Sequence, residues 1–127
     1  MSTVDLTEEN FADTVDKGIV LIDFWAGWCG PCRAFAPIFE AASKRHPDVV
    51  FAKLDTEAQA GLAAAFQIRA IPTLMVLRDG VLLTRLSGVL PAQALDDLIA
   101  QARALDMDEV ERKIAAATAD QAKGATA

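Results

Sequence analysis

The sequence predicts an α/β protein with a central mixed β-sheet and helices on both faces. The apolar run Ile19–Trp25 does not alternate with polar residues, which is typical of a strand buried on both faces. A helical pattern follows at residues 32–45, and strand-like and helix-like segments alternate from there to residue 104. Asp79-Gly80 separates two apolar runs and predicts a tight hairpin, so one strand pair should be antiparallel.

The first predicted helix and the buried strand precede the two cysteines of the chain. Thr7-Glu8-Glu9-Asn10 resembles a helix cap with acids in the first turn, and Lys17-Gly18 ends that helix. In the strand, Asp23 interrupts the apolar run, and a buried carboxylate is costly unless it is partnered or protonated. The residues alone leave two interpretations open: a buried acid, or a strand that has already reached solvent at Asp23.

The second helix and the next strand are predicted over residues 32–45 and 49–55. Pro37 lies inside the helix, where it removes one backbone hydrogen bond and kinks the axis. Lys53 stands in the middle of the apolar strand. Either its amine reaches water along a buried stem, or it supplies a charge near Asp23. The helix presents one apolar face, made of Phe35, Ile38, Phe39 and Ala42.

The remaining elements of the sheet and its cover follow in order. A third helix is predicted over residues 58–66, and a strand over 73–77 begins directly after Ile71-Pro72. Proline is compatible with this strand because it precedes the first residue. Beyond the hairpin turn, residues 81–86 should form an antiparallel edge strand, and 91–104 the last helix of the domain. That helix has four apolar residues on one face: Leu95, Leu98, Ile99 and Ala102.

Residues 1–104 form the predicted domain, and the chain continues beyond it. Apolar residues recur there at helical spacing, and Asp106 with Glu109 makes a capping pattern. We expect an accessory helix over residues 105–117 that packs on its own domain, a partner or dimer surface being the alternative. Residues 118–127 are expected to form a disordered tail. The apolar series is Met107, Val110, Ile114 and Ala117, the first three being the expected packing residues.

Composition and charge argue against several classes of function. The 127 residues carry a net charge of −6 and are 53% hydrophobic, which fits one domain that binds neither nucleic acid nor an anionic membrane. We expect no secretory signal and no membrane span, because the chain has no basic region followed by an apolar core and no apolar stretch of sufficient length. The expected location is cytoplasmic, where a lone Cys-x-x-Cys is more often catalytic than structural.

Cys29 and Cys32 are the only cysteines, and they stand where the buried strand leads into the second helix. Unpaired backbone N–H groups and the helix dipole favour an anion there, in this case a thiolate, which is the reactive form of cysteine. Side chains three residues apart on a helix are neighbours, and a tight first turn can bring them to disulfide distance.

A structural zinc site needs four ligands, and the chain's only histidine, His46, lies at the far end of the helix. A structural staple across so short a loop would restrict the unfolded chain little. Redox chemistry is the favoured interpretation.

Two motifs resemble those of the thioredoxin family. Residues 24–33 read Phe-Trp-Ala-Gly-Trp-Cys-Gly-Pro-Cys-Arg, like the family's active-site stretch, and residues 70–73 read Ala-Ile-Pro-Thr, like its second signature. The likeness covers about residues 3–103. It implies the thioredoxin fold, with a first edge strand near the N-terminus, a cis Pro72 against the disulfide, and a buried Asp23 with Lys53 as its charge partner. Two positions depart from the family's usual residues: Gln67 replaces a glycine, and Ser87 is more polar.

The resemblance further implies thiol–disulfide exchange, most directly the reduction of disulfides in other proteins. Cys29 would attack a client disulfide, Cys32 would resolve the mixed disulfide, and Asp23 would exchange a proton with Cys32. The expected partners are disulfide-containing client proteins and an NADPH-dependent thioredoxin reductase. The protein is expected to be a monomer that needs no cofactor or metal beyond its own disulfide. A mostly apolar docking surface would consist of Trp28, Gly30, Pro31, Ile71, Pro72, Gly88 and Val89.

Two alternatives remain open from the sequence. A disulfide oxidant or isomerase on the same fold is disfavoured by Gly30-Pro31, because a histidine between the cysteines would favour the thiolate and a more oxidising pair. A binding module would use the fold and the C-terminal helix to hold a partner, and its redox chemistry would be incidental.

Overall fold

The computed structural model describes residues 3–126, with side chains described as far as Gln121. Its strands are β1 (Thr3–Asp5), β2 (Ile19–Trp25), β3 (Val50–Asp55), β4 (Thr73–Arg78) and β5 (Val81–Ser87). Its helices are α1 (Phe11–Val15), α2 (Gly30–Arg45), α3 (Ala60–Ala65), α4 (Ala92–Ala104) and α5 (Met107–Thr126). The strands form one sheet in the order β1-β3-β2-β4-β5. The pairs β1–β3 and β3–β2 are parallel, whereas β2–β4 and β4–β5 are antiparallel, which confirms the predicted mixed sheet.

Strand β2 lies at the centre of the sheet, and helices cover both of its faces. On one face, Leu21 packs in a core with Phe35 and Phe39 of α2 and Ile99 of α4. On the other face, Phe24 packs in a second core that includes half-buried residues of α1 and α3. Asp23 is fully buried within this strand. The interpretation in which the strand reaches solvent at Asp23 is therefore wrong, because both β3 and β4 still pair with β2 at this residue.

Helix α2 begins at Gly30, two residues earlier than predicted. Cys29 is its N-cap, and the Cys29 sulfur accepts a hydrogen bond from the Cys32 N–H group. Pro31 lies in the first turn, where a missing N–H costs no helical hydrogen bond, and Pro37 is inside the helix as expected. The helix therefore starts at the active-site turn itself, and the Cys32 N–H in its first turn is directed at the Cys29 sulfur.

Two turns contain residues with positive φ angles. Asp79 and Gly80 both have positive φ angles, 51° and 80°, as the predicted two-residue hairpin requires. Gln67 also has a positive φ, 54°, so the chain adopts the left-handed conformation without the family's glycine. Arg85 holds this exit from α3, because its guanidinium donates to the Phe66 and Gln67 carbonyl oxygens at 2.8 and 3.3 Å.

The C-terminal helix differs from the prediction in length and in packing. Asp106 caps α5 as expected, since its carboxylate accepts from the N–H groups of Asp108 and Glu109. The helix continues past the predicted end at residue 117 as far as Thr126, so the tail that was predicted to be disordered is helical up to that residue. This part of the chain is rich in alanine, the strongest helix former. Residue 127 of that tail lies outside the described residues.

The packing of α5 on the domain stays a prediction, and only the start of the helix is partly shielded from solvent. Met107 and Val110 are half-buried, whereas Ile114 is 46% exposed and residues 111–121 are all exposed. Packing through Ile114 is therefore wrong: beyond Val110 this side chain is the one large apolar group, which is too little apolar surface to hold the helix down. The division into a domain and an accessory helix stays a prediction. Within the described part of the chain, no helix is both long and apolar enough to cross a membrane.

Candidate active site

The candidate site is the turn between β2 and α2. The Cys29 N–H donates to the Ala26 carbonyl oxygen at 3.1 Å, which closes the turn directly after the strand. The Cys29 sulfur accepts from the Cys32 N–H at 3.2 Å. An N–H group that points at sulfur at a helix start stabilises a thiolate there. This local geometry follows from sequence, since Pro31 starts a helix and the buried strand cannot continue through it.

The two cysteines form a disulfide in the structure, with their Cα atoms 5.2 Å apart. Both are nearly inaccessible, Cys29 at 4% and Cys32 at 3% exposed. A distant loop lies against Cys29, because the Cys29 sulfur is 3.7 Å from the Ile71 carbonyl oxygen. Exposure does not tell the two thiols apart, whereas the hydrogen bond to the Cys29 sulfur does.

The distant loop is residues 70–73, called here the proline loop. Its Ile71-Pro72 bond is cis, which confirms the predicted isomer. The Pro72 carbonyl oxygen accepts from the Gly88 N–H at 2.8 Å, so the end of β5 is tied to the loop. The structure thus brings Ile71 next to Cys29 and Gly88 next to Pro72, although these segments are far apart in the chain.

The predicted docking surface is mostly accessible. Trp28 is 69% exposed and Val89 43% exposed. Gly30, Pro31 and Gly88 are exposed as well, and Ile71 is half-buried. Pro72 is buried, so it contributes to the packing beneath this surface and little to the surface itself. That part of the prediction is corrected: the proline loop meets solvent through Ile71.

Two residues near the cysteines were missed at the sequence level. The Trp28 indole N–H donates to a Glu57 carboxylate oxygen at 2.8 Å, which orients the exposed ring. The Arg33 guanidinium donates to the Gly27 carbonyl oxygen at 2.8 Å, across the active-site turn. Arg33 follows Cys32 directly and could have been considered, but Glu57 lies in a separate segment and no spacing pattern indicates it.

Asp23 lies on the α2 side of the sheet, because Leu21, two residues earlier in the strand, packs against α2. Its register partners are Lys53 on β3 and Leu74 on β4. Neither carboxylate oxygen has a hydrogen-bond partner among the residues that the structure describes. Burial raises the pKa of Asp23 from 3.8 to about 6, and attraction to Lys53 opposes part of that rise. Such a group changes its protonation state close to neutral pH.

Lys53 is half-buried beside Asp23, and its ammonium lies over an aromatic ring. The Lys53 nitrogen is 4.9 Å from the centre of the Trp25 ring, which is cation–π distance. Lys53 is thus a neighbouring charge for Asp23, because the two residues are register partners, and its amine is directed to Trp25. Within residues 3–121, no cluster of three or more His, Cys, Asp or Glu side chains could hold a metal ion.

Comparisons with known proteins agree with this geometry. The family model described as Thioredoxin matches residues 2–101. A Streptomyces coelicolor protein designated thioredoxin 2 is 57% identical over 115 residues, covering 90% of this chain and 86% of the relative. Thioredoxin from Bacillus subtilis is 36% identical over 100 residues, covering 78% and 96%. A thioredoxin variant from Halobacterium salinarum has a solved structure with a TM-score of 0.75 and 33% identity, covering 82% of this chain and 93% of that one.

Proposed function

This chain belongs to the thioredoxin family and is a thiol–disulfide oxidoreductase, and we propose that Cys29 is its attacking thiol and Cys32 its resolving thiol. The observation that carries this assignment is the hydrogen bond from the Cys32 N–H to the Cys29 sulfur at the start of α2. It favours a thiolate on Cys29, and a thiolate is the attacking species in disulfide exchange.

The exchange takes place in two displacements. The Cys29 thiolate attacks one sulfur of a client disulfide, so that a mixed disulfide forms and the client's other sulfur leaves as a thiolate, which takes a proton. Cys32 then loses its proton and attacks the Cys29 sulfur. The mixed disulfide breaks, the client leaves with its second thiol, and the Cys29–Cys32 disulfide forms. Two electrons pass from this chain to the client.

Asp23 is proposed as the acceptor of the proton that Cys32 loses. It is fully buried on the face of the sheet that α2 covers, and its pKa of about 6 suits proton exchange near neutral pH. Lys53 is proposed to tune this acid, because its charge favours the carboxylate and its position is set by the Trp25 ring. The two side chains occupy register partners on adjacent strands, which supports their acting together.

Client proteins are proposed to dock as extended segments beside the cysteines. The Ile71 carbonyl oxygen, 3.7 Å from the Cys29 sulfur, is a backbone acceptor at the place where a client disulfide must arrive. The exposed Trp28 and Val89 side chains add apolar contact, and Gly88 leaves room for a client backbone. A surface of this kind has few sequence-specific contacts, which suits many different clients.

The oxidised pair has to be reduced again between turnovers. We propose that an NADPH-dependent thioredoxin reductase does this, in the cytoplasm, with the chain acting as a monomer that carries electrons only in its cysteine pair. The C-terminal helix is proposed to be accessory, because its exposed residues 111–121 lie apart from the two cores of the domain.

A coupled insulin-reduction assay with thioredoxin reductase and NADPH tests the proposal. We expect turnover by wild type and none by Cys29→Ser. Cys32→Ser should trap clients as mixed disulfides, visible on a non-reducing gel and removed by added thiol, because the resolving thiol is missing. The reverse pattern, with trapping by Cys29→Ser, would exchange the two roles. Partner binding without turnover by wild type would favour a binding module.

A further inference from the structure

Two hydroxyl groups connect the end of β5 to the proline loop. Thr73, the first residue of β4, is 2% exposed and is the register partner of Ser87, the last residue of β5. The Thr73 hydroxyl donates to the Ala70 carbonyl oxygen at 2.5 Å. The Ser87 and Thr73 hydroxyl oxygens are 3.2 Å apart. Ser87 is the position where this chain is more polar than is usual in its family.

The direction of the second hydrogen bond follows from counting protons. A threonine hydroxyl has one proton, and a carbonyl oxygen is only an acceptor. Because the Thr73 proton is directed to the Ala70 carbonyl, Ser87 must be the donor to Thr73. The result is a series of two hydrogen bonds that runs from Ser87 through Thr73 to Ala70, in which each bond polarises the next.

These two hydrogen bonds end at the residue before the part of the proline loop that faces Cys29. Ala70 immediately precedes Ile71, whose carbonyl oxygen lies 3.7 Å from the Cys29 sulfur. Gly88, which follows Ser87, donates to the Pro72 carbonyl oxygen at 2.8 Å. One side-chain link and one backbone link therefore hold both ends of the segment that faces Cys29.

We infer that Ser87 is a positioning residue for client binding, which acts through Thr73 to hold the Ile71 carbonyl where an extended client segment pairs with it. This inference rests on the proposed function. Removing the Ser87 hydroxyl leaves Thr73 without its donor while leaving the cysteines, Asp23 and the apolar docking residues unchanged. The consequence should appear in client affinity and not in the chemistry of the sulfurs, because the loop supplies a binding group only.

The test compares Ser87→Ala with Ser87→Thr, which keeps a hydroxyl and suits a strand. Thr84→Val is the matched control, because it removes a hydroxyl from the same strand at a residue paired with Val76, away from the loop.

The substrates are a disulfide-containing peptide and a small aromatic disulfide that is too short to pair with the loop. For Ser87→Ala we expect a KM for the peptide that is higher by about two- to tenfold, the range of one modest hydrogen bond. Its kcat, and its rate with the small disulfide, should be unchanged.

Ser87→Thr should restore the wild-type KM, and Thr84→Val should not change it. An unchanged peptide KM in Ser87→Ala overturns the inference, and so does an equal loss with both substrates or a failure of Ser87→Thr to rescue. Thermal unfolding of each variant guards against a global loss of structure, since only a folded variant with a selective KM effect supports a positioning role. Wild type without any turnover would refute the proposed function instead, so the two failures are distinguishable.

Discussion

Replacing the buried acid Asp23 by asparagine should stabilise the protein, and the gain should depend on pH. Asp23 is fully buried, with no hydrogen-bond partner among the described residues, so its ionised form carries a desolvation cost that attraction to Lys53 offsets only in part. Its pKa rises from 3.8 to about 6 on folding. At about 1.36 kcal/mol per unit, a rise of about 2 units costs the folded state about 3 kcal/mol at neutral pH.

The sign of this effect follows from proton binding. Between pH 3.8 and about 6, the folded protein holds a proton on Asp23 that the unfolded chain has released. Wild-type stability therefore falls as pH rises through this window, and above about pH 7 the whole penalty is present. Asparagine cannot ionise, so the Asp23→Asn variant escapes the penalty. The difference in unfolding free energy should be small near pH 4 and should reach about 3 kcal/mol near pH 7.

Urea unfolding of the oxidised protein at several pH values measures this difference. A urea m-value of about 1–3 kcal/mol/M converts the expected gain at neutral pH into a midpoint shift of about 1–3 M. The same comparison can be made in a Lys53→Met background. Losing the nearby positive charge should raise the pKa of Asp23 further, so the gain in unfolding free energy from Asp23→Asn should be larger there. A wild-type-minus-variant difference that stays constant from about pH 4 to about pH 8 would refute a raised pKa for Asp23.

Four further outcomes are expected. In stopped-flow measurements from about pH 6 to about pH 9, Asp23→Asn should slow the resolving step more than the first attack; equal rates would make the acid merely structural. Limited alkylation of the reduced protein should label Cys29 before Cys32, and the opposite order would reverse their roles. Trp28→Ala should raise the KM for protein clients and spare a small disulfide, because the ring is 69% exposed; equal losses would contradict a docking role. Deleting residues 106–127 should leave insulin reduction within about twofold and stability within about 1 kcal/mol, and a large loss of turnover in a folded protein would place α5 in the site.

Much of the fold and the identity of the reacting groups could be predicted from the sequence. The apolar run of β2, interrupted only by Asp23, indicated a central strand, and the Asp79-Gly80 pair indicated an antiparallel hairpin in a mixed sheet. Cys29 and Cys32 were predictable as a redox pair because their spacing and the start of α2 are local features. Such features depend on periodicity and backbone preference, which neighbouring residues in the chain determine.

The accessibility of each group and the contacts between distant groups depend on how the chain packs in three dimensions. Cys29 is buried, and one group against its sulfur belongs to Ile71, 42 residues away in the chain. The choice between a buried and a solvated Asp23 depended on β3 and β4 flanking its strand. The link from Ser87 to Thr73 exists only because β4 and β5 pair in one register. The physical reason is the same in each case: burial and long-range hydrogen bonds depend on where remote segments pack, and a residue's immediate sequence does not contain that information.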